Sequence, residues 1–233
     1  MERAIAKRLW MKEGKGNAAP ESGPALYFYM LYTHFWQFLT VNLLFLLCCI
    51  PVVTIPAAFT ALDRVCIKLV RERNVLFCLE FRDEFKRSFA KSLPLGLLFG
   101  SLLFVSYYLL SLGETNAANP FGVIFIGIGL CVLLLTVAWG AYAFVLQAAV
   151  ELPFGTLLHN AFCLLFLGMR QSLAAICFVT GFAVAMLFLF PISLLFLVLG
   201  GIAFVQFSVC WFVNKPLQVH VIGPYEAKQA QNK

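Results

Sequence analysis

Six apolar stretches, at about 26–50, 52–70, 93–112, 121–149, 171–190 and 192–213, alternate with short polar connections along this chain. A helix that crosses roughly 30 Å of hydrocarbon needs about 20 mainly apolar residues at 1.5 Å of rise each. The last four stretches meet that length. Pro94 falls in the first turn of one, where its missing N–H leaves no bond unmade. Pro120 opens another after the polar turn at 113–119, and Pro191 divides the final apolar run into two spans joined by a tight turn. The pattern predicts an all-α fold, a polytopic helix bundle in a membrane. It consists of a polar tail at 1–25, one membrane domain at 26–213 and a second tail at 214–233.

The region 26–70 admits two readings. If only its first half crosses, there are five spans and the N-terminal tail lies outside. If the chain turns at 51–56 and 57–70 returns, there are six. The seventeen Lys and Arg residues favour six. Arg3, Lys7, Arg8, Lys12 and Lys15 lie in the first tail, eight more fall between Arg64 and Lys91, Arg170 stands alone, and Lys215, Lys228 and Lys233 close the chain. The connections at 50–54, 111–120 and 190–192 contain none. Cytoplasmic loops hold the excess of such residues, so both termini are expected in the cytoplasm. Six spans place Asp63 and Arg64 about 10–12 Å inside the boundary, at a cost of about 2.5–3.5 kcal/mol for a charge on insertion scales. The alternative is an amphipathic helix lying in the interface. It would have Ala58, Phe59, Leu62, Val65, Cys66 and Leu69 on one side and Thr60, Asp63, Arg64, Lys68 and Arg71 on the other.

Residues 77–91 predict an amphipathic cytoplasmic helix. Phe77, Phe81, Phe85 and Phe89 recur every four residues, with Arg82, Asp83, Glu84, Lys86 and Arg87 on the other sides. The favoured reading buries Phe81, Phe85 and Phe89 in lipid and turns Arg82, Lys86 and Arg87 toward anionic head groups. Docking on a cytoplasmic partner is the alternative.

Composition narrows the class. Hydrophobic residues make up 62% of the 233 and charged residues 12%, against about half and a quarter in soluble domains. The net charge of +6 is dispersed over several loops, which suits an inner-leaflet anchor and not a nucleic-acid footprint. The basic tail does not read as a cleavable signal, because the apolar region after it is too long. The eight cysteines form no Cys-x-x-Cys pair, no His is read at ligand spacing from them, and they are expected to act as small hydrophobes. His34, His159 and His220 are expected at surfaces, with neither a metal nor a cofactor implied.

The candidate functional polar residues are Asp63, Arg64, Glu151, Gln147 and Asn42. Ionisable groups within membrane segments tend to mark polar cavities or pairs. Adjacent residues diverge by about 100° on a helix, so Asp63 and Arg64 are expected to find partners on other helices. Asn42, Gln147 and Gln206 suit interhelical hydrogen bonds. The run from Gln147 through Glu151 and Pro153 to Gly155, leading into 157–168, resembles the helix–turn–helix by which importer permeases dock on their ATPase. Gln147 stands there in place of the acidic residue, and the Asp-Gly pair is missing. A simple connection packed under the spans is the other reading. Gly96 and Gly100, and Ala57 and Ala61, form small-xxx-small pairs that let helices approach closely.

The stretch from Asn42 to Leu62, with Cys48, Cys49, Pro51, Thr54, Pro56 and Ala61, resembles the signature of the YesL-like family of bacterial membrane proteins. So do the basic segment ending Lys68-Leu-Val-Arg71, the Phe81/Phe85/Phe89 helix, and the segments around Leu146, Glu151 and Leu157–Phe162. Family members commonly have Gly where Ile55 stands. The family has no assigned activity and defines no catalytic residues. The resemblance implies a multi-pass protein of the bacterial plasma membrane, associated with carbohydrate-uptake loci beside importers of the ATP-binding-cassette type. The expectation is a non-enzymatic subunit or accessory of carbohydrate uptake, in contact with membrane lipid and importer components, with a homo-oligomer open. The alternative is a stand-alone carrier or permease for a small solute.

Overall fold

The computed structural model describes residues 23–116 and 119–219. The basic residues of the two tails other than Lys215, and His220, lie outside that range. The described residues form helices α1 (Pro24–Thr33), α2 (Phe35–Cys48), α3 (Ile55–Glu72), α4 (Phe77–Thr115), α5 (Pro120–Ala149), α6 (Phe154–Leu167), α7 (Met169–Phe188), α8 (Ile192–Phe196) and α9 (Ile202–Leu217). A 3₁₀ turn (Val52–Thr54) joins α2 to α3, and a π-helical turn (Leu197–Gly201) joins α8 to α9. There is no strand among the described residues, in agreement with the all-α expectation.

Four helical runs are long and apolar enough to cross a membrane: α4, α5, α7 and the run Ile192–Leu217. The apolar stretch 26–50 is not one straight helix. It breaks at His34 into α1 and α2, whose axes differ by 72°, and counting the pair as one span raises the number to five at most. α3 does not qualify, because its 18 residues include Asp63, Arg64, Lys68, Arg71 and Glu72.

Depth along α4 explains why. α4 is 39 residues long, about 58 Å, nearly twice what a crossing requires. Its charges other than Glu114 lie in the half before Pro94, and its apolar run lies after. α3 packs antiparallel to the charged half: Lys68 Nζ is 2.5 Å from Glu80 Oε1 and Arg64 Nε is 4.0 Å from Glu84 Oε2. At the other end of α3, Pro56 fills the space where a Cβ on Gly96 would be, 2.0 Å from its Cγ. α2 descends at the same level, with Phe38 and Phe77 rings 5.4 Å apart. The α2–α3 hairpin therefore turns near Gly96, one turn into the apolar run, and does not extend along 97–115. This departs from the expected spans at 26–50 and 52–70.

The helix at 77–91 also differs from expectation. It is not a separate helix beneath the bundle, because it is the first part of α4 and continuous with the apolar run after Pro94. Pro94 removes one hydrogen bond without breaking the helix. Nor does the Phe row face lipid as a unit. Four residues advance about 400°, so a row at that spacing drifts about 40° per step. Phe77 and Phe81 are buried, Phe85 is half-buried and Phe89 is 37% exposed. The buried stripe of α4 is instead Phe77, Phe81, Glu84, Ser88, Ser92, Leu95 and Phe99.

α3 is the hub of the described bundle, in contact with α2, α4, α5 and α9. Leu62, Val65, Cys66 and Leu69 are buried on one side, and Thr60 and Asp63 are buried on the other. An interfacial helix would keep its polar side in water, so the interfacial alternative for this segment does not hold.

Candidate functional site

Of the polar residues singled out in the sequence, Arg64, Gln147 and Glu151 gather where α4 begins and α5 finishes, whereas Asp63 faces the first half of α9 and Asn42 the break before it. Asp63 is fully buried between α3 and α9. Gln206 Nε2 donates to its Oδ1, the Cys210 thiol lies 3.5 Å from the same oxygen, and Oδ2 has no hydrogen-bond partner. Arg64 points to a different neighbour. Its Nη1 donates to the Ala148 carbonyl at 2.9 Å. As expected from their 100° divergence, the two adjacent charges serve different helices.

Asn42 is a structural link. Its Nδ2 donates to the carbonyls of Leu197 (3.1 Å) and Val198 (2.8 Å), and its Oδ1 accepts from the Ala203 N–H at 3.0 Å. These are the backbone groups released where the helix breaks. Gly200 sits at φ 148°, a conformation open in practice only to glycine. One side chain on α2 thus satisfies both sides of the break between α8 and α9.

Glu151 and Gln147 line a cavity of about 410 Å³ with Glu84, Arg87, Ser88 and Lys91, closed on its apolar side by Pro94, Leu152, Phe154 and Leu157. Arg87 donates to Glu84 at 2.7 Å, and Arg87 and Lys91 lie 3.8 and 3.4 Å from Glu151. The amide Nε2 and Oε1 of Gln147 are both buried, with no hydrogen-bond partner among the described residues. Arg82 and Lys86 are exposed on α4 and do not line this cavity.

Sequence reasoning missed Glu84, which is 6% exposed. The available signal was the small residues Ser88 and Ser92, spaced four apart in line with it, which mark where another helix comes close. It also missed the pairing of Lys68 with Glu80 and Lys91 as a wall of the cavity.

The segment from Gln147 to 168 forms a helix, an extended link and a second helix. α6 folds back on α5, where Trp139 Nε1 donates to the Leu158 carbonyl at 3.2 Å. Its outward residues include Phe162, Phe166 and Leu167, an apolar face suited to lipid. His159 and Cys163 stand one turn apart, and the Cys163 sulfur is 3.6 Å from the His159 Nε2. They are at ligand spacing after all, contrary to the sequence reading. Among the described residues no group of three His, Cys, Asp or Glu is arranged to hold a metal ion.

A second cavity, also about 410 Å³, lies between α4, α5, α7 and α9, with Phe59 and Gln206 on its wall and otherwise mostly apolar lining.

No curated protein and no solved structure matches the chain. A family model described as "Protein of unknown function, DUF624" matches residues 38–109, from α2 through most of α4 and less than a third of the chain.

Proposed function

We propose that this chain is a non-enzymatic membrane protein with four spans and both termini in the cytoplasm. It acts as a subunit or accessory factor of bacterial carbohydrate uptake in the plasma membrane. In this topology α4, α5, α7 and the run Ile192–Leu217 cross, and the α2–α3 hairpin enters from the cytoplasmic side without crossing. The charge distribution supports it. The ten described Lys and Arg residues lie in α3 or just after it, at the start of α4, at the start of α7 and at the end of α9, all on one side of such a bundle. An even number of spans keeps the two tails on that side as well.

The observation that carries the accessory reading is the packing of α3 against the charged half of α4, with ten of its eighteen residues buried. It builds a rigid, charged platform on the cytoplasmic side, as a component that docks on other subunits requires. The YesL-like resemblance of 42–62 and 77–91, both within the matched segment 38–109, supplies the link to carbohydrate importers. Co-purification from mild detergent extracts tests the reading. It predicts an importer permease, its ATPase or a sugar-binding protein in stoichiometric amount, and it fails if none is retained.

A stand-alone carrier is the second reading, favoured by the cavity between the four crossing helices and the helix break beside it. Broken helices near a midplane cavity are a recurrent carrier device. Solute flux in proteoliposomes containing only this chain would select it over the first.

A further inference from the structure

We propose that the cavity lined by Gln147, Arg87 and Lys91 binds a phosphoryl group at the cytoplasmic boundary of the membrane. Three independent features converge there. The first is the unsatisfied Gln147 amide, since burying such a group without a partner is unfavourable by about 1–3 kcal/mol and a ligand relieves it. The second is the start of α6. The cavity is walled by Phe154 and Leu157, and the 14-residue helix begins after Pro153 with no side-chain cap. The N–H groups of its first turn have no partner within the helix, and that end carries partial positive charge.

The third feature is the balance of charge. Arg64 and Arg87 both approach Glu84, at 4.0 and 2.7 Å, so this carboxylate is already neutralised. Among the described residues Lys91 pairs with Glu151 alone, at 3.4 Å, and the Glu151 side chain is 67% exposed. Glu151 can swing into water and leave Lys91, with part of Arg87, to an incoming anion. Gln147 would donate through Nε2 and accept a hydroxyl at Oε1. The apolar wall at Pro94, Leu152 and Phe154 lies where the apolar run of α4 begins, which fits an amphipathic phosphate. A phospholipid head group and a free phosphate offer the same chemistry. The inference rests on the cytoplasmic placement of this end and not on the importer partner.

The test uses the full chain in two arms. In one, protein from discs of equal phosphatidylglycerol and phosphatidylcholine is stripped progressively of lipid and weighed by native mass spectrometry. In the other, protein in phosphatidylcholine discs is melted with inorganic phosphate at millimolar concentration. Retention of one phosphatidylglycerol supports a lipid source, and a raised melting temperature with inorganic phosphate supports a soluble one. Lys91→Gln and Gln147→Leu should weaken the positive arm roughly tenfold, the scale of one charged hydrogen bond. Glu151→Gln should strengthen it, because a competing carboxylate is removed. Lys91 and Glu151 are exposed, so these variants fold. The proposal is overturned if neither arm responds, or if Lys91→Gln and Glu151→Gln shift binding in the same direction.

Discussion

The guanidinium of Arg64 donates at 2.9 Å to the carbonyl of Ala148, in the last turn of α5. The last four carbonyls of a helix have no partner within it, and a cation there also opposes the negative end of the helix dipole. Arg64 therefore ends α5 and, through Glu84, ties it to α4. Arg64→Ala should destabilise the fold by about 1–3 kcal/mol, since it frees a buried carbonyl and removes a cation from Glu84. Adding Glu84→Gln should be less than additive if the pair is coupled. Thermal melts of the single and double variants in detergent decide this, and strict additivity would refute the coupling.

The two glycines of the small-residue pair on α4 should behave differently. A Cβ on Gly96 would meet the Pro56 ring at 2.0 Å, whereas nothing lies within 4 Å of one on Gly100. Gly96→Ala is expected to lose about 1–3 kcal/mol from overpacking. Gly100→Ala should be neutral or gain up to about 1 kcal/mol from helix propensity. Equal losses at both positions would mean that α3 does not pack where described.

Asn42→Leu removes partners from the carbonyls of Leu197 and Val198 and from the N–H of Ala203. The expected loss is about 1–3 kcal/mol for each group that water does not reach. Asn42→Asp should also destabilise, because a carboxylate accepts from Ala203 but cannot donate to the two carbonyls. Wild-type melting of Asn42→Asp would show that the helix break does not depend on this residue.

The hairpin topology is testable with thiol labels in a cysteine-free background. A cysteine at Asn116 should react with a membrane-impermeant maleimide in intact cells, and one at Val53 should not. Six spans would place Val53 outside, so its labelling would restore that topology.

The apolar lengths, the prolines that bound them and the clustering of Lys and Arg in a few connections are sequence properties. By themselves they determined an all-helical protein with four helices fit to cross a membrane, since crossing length and apolarity are local requirements. They also predicted that Asp63 and Arg64 would turn to different neighbours, because 100° per residue is a property of any helix. The tertiary structure alone decided the fate of 26–70. Hydropathy registers how apolar a segment is and not what lies beside it, and α3 is buried by protein at the charged half of α4. For the same reason Glu84 could not be distinguished from Arg82 or Lys86 on the helix surface. Phe85 and Phe89 read as partners of Phe81 until the drift of a four-residue spacing, and the approach of α3, separated them.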